Sequence, residues 1–166
     1  MKYSDPVSAM ESTGEVELIA FIKYWVTSRK ITKYLEATLS KHTKLSLVQG
    51  TCLHALSVNN EGMRPTDLAR WIVTERHNIT TMIRRMEKSG LVKIKRDKNS
   101  QREVRVTITE KGKKIQIESV PIAREIIKQM MSSFTSDELI QMQRICKMMA
   151  DNTYKKSEIN IQSDSR

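Results

Sequence analysis

The hydrophobic period of this chain changes twice, and no other feature constrains its fold as much. Up to Gly90 the apolar residues recur every three to four positions, the spacing of helices with one buried face. From Val92 to Ile108 they recur every second position. Val92 and Ile94 alternate with Lys93 and Lys95, and Val104, Val106 and Ile108 alternate with Glu103, Arg105 and Thr107. Asp97–Lys98–Asn99–Ser100–Gln101 is the polar turn between the two runs, so this segment predicts a two-stranded hairpin with a charged tip. After Gly112 the helical period returns. An isolated hairpin is marginal in water, so this one must lay its apolar face on the helices before it. The expected fold class is mainly α with a small β-hairpin: four helices, the hairpin, then two long helices.

The helical stretches can be bounded by their caps. Residues 1–14 are polar and are expected to form a flexible arm. Glu15 to about Ser40 reads as a long helix with Leu18, Ile22 and Trp25 on one stripe, and Arg29–Lys30 predicts a bend or a change of buried face. Ser46 and Gln49 form a capping box for a helix over Leu45–Ser57. Its buried side is Val48, Cys52, Leu53, Ala55 and Leu56. Gly50 inside it costs about 1 kcal/mol relative to alanine, which predicts a second helix crossing closely there. Asn59–Gly62 is a turn, and Pro65 opens a short helix to Val73 with Leu68, Ala69 and Ile72 inward.

A short link then leads to Thr74–Gly90, where Thr74 is a candidate N-cap and Gly90 a candidate closing residue. Ile79, Ile83 and Met86, with Met82 to one side, mark its buried stripe. Opposite lie His77, Thr81, Arg84 and Lys88, flanked by Asn78, Thr80 and Arg85, with Glu87 the lone carboxylate at one edge. Two helices so closely linked, the second with a basic outer face, are the helix-turn-helix arrangement.

Beyond the hairpin, Thr109 is placed to cap a helix running to about Ser133, with a kink or restart expected at Pro121. Thr135 and Glu138 form a second capping box, opening a final helix to about Tyr154, and residues 157–166 read as a polar tail. Both last helices carry more than one apolar stripe, which calls for a partner, most simply a two-fold copy. The expected organisation is therefore a helical dimerisation region (15–44 and 112–156) around a DNA-binding lobe (45–111).

Charge supports that partner class. The formal net charge is +10, and between Arg64 and Lys114 fifteen Lys and Arg face six Asp and Glu, which is nearly the whole surplus. Such a concentration suits a polyanion. No amphipathic helix carries the aromatic anchors that membrane-surface binding wants, so nucleic acid is the expected partner. No signal-peptide pattern or bilayer-length apolar run is present, and a cytoplasmic location is expected. Cys52 and Cys146 lie far apart with no metal-ligand spacing, and both sit beside apolar positions, which favours packing over redox sensing. With no nucleophile elbow, phosphate loop or ligand triplet, neither an enzyme nor a metal or other cofactor is expected.

In order and spacing the motifs resemble those of the MarR family of winged helix-turn-helix transcriptional regulators. The resemblance runs from about residue 15 to 155. It rests on Leu45–Ser46 with Gln49, Leu53 and Leu56, on Asp67–Leu68–Ala69, and on Ile79–Thr80. It rests also on Met86–Glu87–Lys88–Ser89–Gly90–Leu91–Val92 and on Ile108–Thr109–Glu110–Lys111–Gly112. One departure stands in the wing: the family's aspartate followed by two arginines is here Ser100–Gln101–Arg102, so only Arg102 carries over.

The resemblance implies a homodimeric repressor that reads a pseudo-palindromic double-stranded operator. His77, Asn78, Thr80, Thr81 and Arg84 are the candidates for base edges. Arg76, Arg85, Lys88, Pro65 and Thr66 are candidates for phosphate, and Lys95, Arg96, Lys98 and Arg102 for the wing's backbone or minor-groove contacts. The family also implies a small aromatic effector between the dimer helices and the DNA-binding lobe, with Trp25, His42 and His54 the nearest candidates. Two other readings remain open at this point: a winged helix used as a protein-interaction module, and a regulator that senses oxidants through a thiol.

Overall fold

A computed structural model describes the chain except residues 1–13, 44, 75, 98–99 and 164–166. For residues 76–77, 96–97, 100–103 and 154–163 it defines the backbone and not the side chains. The described residues form six helices and one hairpin: α1 (Val16–Thr43), α2 (Leu47–Val58), α3 (Pro65–Ile72), α4 (Arg76–Lys88), β1 (Val92–Asp97), β2 (Ser100–Ile108), α5 (Glu110–Met131) and α6 (Ser136–Ser163). This is the expected order, and it is mainly α.

The caps account for most boundaries. At α2 the box is complete: the Gln49 amide donates to Ser46 Oγ at 3.2 Å, and the Ser46 amide to Gln49 Oε1 at 2.9 Å. At α5 the Gly112 amide donates to Thr109 Oγ1 at 3.0 Å. At α6 the Thr135 amide donates to Glu138 Oε2 at 2.8 Å. That bond holds the Glu138 carboxyl below its ordinary range. Both α1 and α5 are single helices, so α5 runs through Pro121 without a restart. The last helix continues to Ser163, so residues 157–163 of the expected polar tail are helical.

Two expectations fail in the packing. A Cβ built on Gly50 would meet nothing within 4 Å, so no other helix crosses there. Trp25 does not share the covered side of Leu18 and Ile22; it is exposed, with the Arg29 guanidinium 5.8 Å over its ring. The cap expected at Thr74 would act on a first turn that adjoins Glu75, outside the described residues; the Thr74 amide itself donates back to Ala69 O at 3.0 Å.

The described residues up to Ile126 and those from Ile127 onward form two compact units. In the first, one core joins Leu45, Cys52, Leu53 and Leu56 to Leu68, Ile79, Ile83, Met86, Leu91, Val92 and Val106. The hairpin is antiparallel, pairing Val92 with Ile108 and Ile94 with Val106. Val106 also exchanges both backbone bonds with Met63, so the strand lies between β1 and the turn that leads into α3. Its apolar face fades toward the tip: Val106 is fully buried, but Val104 is 39% exposed.

Candidate nucleic-acid interface

Helix α4 is split cleanly between two environments. Ile79, Ile83 and Met86 are buried, whereas Asn78, Thr80, Thr81, Arg84, Arg85, Glu87 and Lys88 are exposed. A 3.6-residue period places these sets on opposite faces, so burying the stripe turns the donors, hydroxyls and cations outward together. Arg76 and His77 open the same helix, but their side chains lie outside the described set.

The turn before α4 is held by an uncommon conformation. Val73 ends α3 in the left-handed region at φ 57°, and its amide donates to Arg70 O at 3.2 Å. A β-branched residue there is strained, by about 1–2 kcal/mol. It is held by the core contacts of Leu68 and Ala69 just before it.

At the start of α3, Pro65 and Thr66 are half-buried and Arg64 is exposed. Arg64 Nε donates to Asp67 Oδ2 at 2.8 Å, and that guanidinium holds the Asp67 carboxyl below its ordinary range. Arg70 lies 3.9 Å from the other carboxylate oxygen. Asp67 therefore offsets part of the positive charge at this end of the lobe and fixes where Arg64 sits.

The wing is joined to α4 through a compact junction. Gly90 takes φ 72°, as a helix-closing glycine does. Thr109 Oγ1 donates to Gly90 O at 2.7 Å, and Lys111 Nζ to Ser89 O at 2.8 Å. Gly112 packs so tightly that an added Cβ would lie 2.1 Å from Leu91 O. On β1, Lys93 and Lys95 are exposed and Val92 buried. Arg96 and Arg102 lie on the paired strands with side chains outside the described set, and Lys98 falls outside the described residues altogether. Glu87, Lys111 and Arg105 are named in the sequence reading without a role at the site. Glu87 Oε1 accepts the Ile94 amide at 3.0 Å, and Arg105 donates to Gly62 O at 3.3 Å. Glu87 and Lys111 each had a signal, their places in the motifs Met86–Val92 and Ile108–Gly112; Arg105 had none.

The three effector candidates do not converge. Trp25 is on the outer side of α1, and His54 packs edge-on against Trp71, ring centroids 6.0 Å apart. His42 alone lines a cavity of about 440 Å³ within the first unit, together with Gln49, Ser89, Lys111, Ile115 and Glu118. The cysteines also part company. Cys52 is wholly buried and burial pushes its thiol up to about 12, while Cys146 is exposed rather than packed. No cluster of three metal-ligating side chains occurs among the described residues, and no described helix is long and apolar enough to cross a membrane.

Residues 45–104 match the sequence profile of the MarR family. The chain is 29% identical over 94 residues to the HTH-type transcriptional regulator SarZ of Staphylococcus haemolyticus, an alignment spanning 57% of this chain and 62% of that protein. Among solved structures it is similar to an organohalide-sensing transcriptional regulator in its 2,4-dichlorophenol-bound form. There the TM-score is 0.73 and the identity 26%, over 92% of this chain and 89% of that one. It also shares its fold with Sco3205, a MarR family regulator from Streptomyces coelicolor solved in complex with DNA. That match has a TM-score of 0.77 at 18% identity, over 82% of this chain and 86% of that one.

Proposed function

We propose that this chain, a MarR-family transcriptional regulator by its matched lobe and its winged-helix fold, is a homodimeric repressor that reads a pseudo-palindromic operator. The observation that carries this reading is the outward face of α4. Six exposed polar or cationic side chains stand opposite a fully buried stripe, in the part of the chain that holds nearly all the positive charge. Arg84 suits a paired hydrogen bond to guanine and Asn78 one to adenine, with Thr80 and Thr81 beside them and His77 one position before. Arg85, Lys88 and Arg76 suit phosphate, as do the residues at Pro65 and Thr66, and such contacts fix register without reading sequence. Lys95, Arg96, Lys98 and Arg102 would follow the wing along the backbone or into the minor groove. Two copies would set their α4 helices into successive major grooves, about 34 Å apart, and would repress by covering a promoter.

A small aromatic effector is the second part of the proposal. The cavity beside His42 is within the size range of small-molecule sites, about 300–1,000 Å³. It touches Ser89, Leu91 and Lys111, which join α4 to the wing, so an occupant would act on the spacing of the DNA-reading elements. The related organohalide-sensing regulator was solved with 2,4-dichlorophenol, which supports a phenolic class of ligand.

Fluorescence anisotropy against DNA from upstream of the protein's own gene, with scrambled DNA of equal length beside it, tests the first part. Wild type should prefer the upstream duplex and weaken with salt. Arg84→Ala should lose about 1–3 kcal/mol of that preference while keeping most of the binding to scrambled DNA. Equal binding of both duplexes by wild type would overturn the reading.

A further inference from the structure

We propose that Glu87 sets the angle between the recognition helix and the wing, and so governs how strongly the bases flanking each half-site are read. The inference rests on the DNA-binding reading above. Glu87 is the only acidic residue in α4, and it is exposed on a lobe whose charge otherwise favours phosphate. A carboxylate there weakens attraction to DNA, so it needs a different use. The geometry supplies one: its Oε1 accepts the Ile94 backbone amide at 3.0 Å.

That amide lies on an open edge. Val106, opposite Ile94, gives both its N–H and its C=O to Met63. Ile94 and Val106 are therefore a non-hydrogen-bonded pair of the antiparallel ladder, and the Ile94 N–H points away from β2. Glu87 closes this edge position with a charge-assisted bond, which is stronger than a neutral one. The hydrogen bonds described above at the junction after α4 act at or before Leu91: Lys111 on Ser89 O, and Thr109 on Gly90 O. Glu87 holds the strand three residues further on. Met63 already holds Val106 of β2 at this level, so the tie at Ile94 fixes β1 to α4 as well; without it β1 is held there only through β2 and its packing on the core.

Glu87 is thus a positioning residue that need not touch DNA. With the wing held, its tip meets the minor groove in fixed register with α4 in the major groove, and groove width at the flanks is read as energy. With the wing loose, α4 still reads its bases and the flanks go unread.

Binding-site selection from randomised duplexes, for wild type, Glu87→Gln and Glu87→Ala, tests this. Hydrogen exchange at the Ile94 amide is followed in parallel. Glu87 is exposed, so neither variant disturbs the core. Wild type should enrich a core motif and a flanking preference, the latter about five- to tenfold per base pair. Glu87→Gln keeps an acceptor oxygen and should keep the flanks. Glu87→Ala should keep the core motif, lose the flanking preference and expose Ile94 to faster exchange. Both variants lose the same charge and should bind random DNA more tightly, so a purely electrostatic role would move them together. Variants that behave alike, or a wild type with a core motif and no flanking preference, would overturn the inference and leave the regulator reading standing. A wild type that enriches no motif at all would overturn both.

Discussion

Cys52 and Cys146 look equivalent in the sequence, each beside apolar neighbours, and burial separates them. Cys52 is wholly enclosed by the core of the first unit, and its thiol is pushed from 9.0 up to about 12; Cys146 is exposed on α6. Thiolate is the reactive form, so Cys52 is inert while the lobe is folded. In a Cys146→Ser chain, maleimide labelling at pH 8 should be at least about 100-fold slower than after unfolding in urea, because it waits on opening of the core. The same shift has a pH consequence. The unfolded chain ionises this thiol first, so the stability contributed by the protonated, buried form is complete below about pH 9 and is lost as pH rises toward 12. Urea melts of wild type against Cys52→Ala should therefore converge above pH 9; a constant difference up to pH 10.5 would show that the site does not hold its proton. Any oxidant sensing would fall to Cys146, the exposed thiol on α6.

At the scale of elements, what the sequence made legible was local. The change of period at Gly90, the boxes at Ser46 and Thr135, the cap at Thr109 and the split faces of α4 each depend on residues within a few positions of one another, and each is observed. What stayed hidden depends on where separate elements meet. Glu36 Oε2 accepts the Leu47 amide at 2.7 Å, so a carboxylate on α1 closes the start of α2 from eleven residues away. The bonds from Glu87 and Lys111 to backbone beyond their own helix are of the same kind. Of Trp25, His42 and His54, only His42 reaches the cavity. Gly50 is the instructive error. A glycine inside a helix suggests a close crossing, yet its surroundings are open. Its remaining effect is entropic, and Gly50→Ala should stabilise the lobe by about 0.5–1 kcal/mol, read from the urea midpoint at unchanged slope. A loss of stability would mean that a partner approaches α2 at this point.

For the whole molecule, the exposed apolar surface is the argument for a second copy. Phe21, Tyr24 and Trp25 share one exposed stripe of α1, and Ile117 on α5 is 67% exposed. On α6 Ile140, Ile145 and Met148 are exposed, with Leu139, Met142 and Met149 only half-covered, so apolar side chains point nearly all round that helix. A helix of this kind is stable when covered on more than one side. Two-fold pairing is the commonest way for a chain to cover its own surface, and it would also supply the second α4 that a pseudo-palindrome needs. Light scattering at micromolar concentration should then give twice the 19.2 kDa chain mass, and the melting temperature should rise with protein concentration. Ile140→Asp should shift the mass toward the monomer, because an unpaired carboxylate would have to be buried in the paired face. That variant keeps the core of residues 45–108 intact, so it should still bind DNA through one half-site, with the gain from two linked sites lost. A wild type that stays monomeric across the concentration range, with a fixed melting temperature, would remove the dimer from the mechanism and leave a single recognition helix reading a half-site.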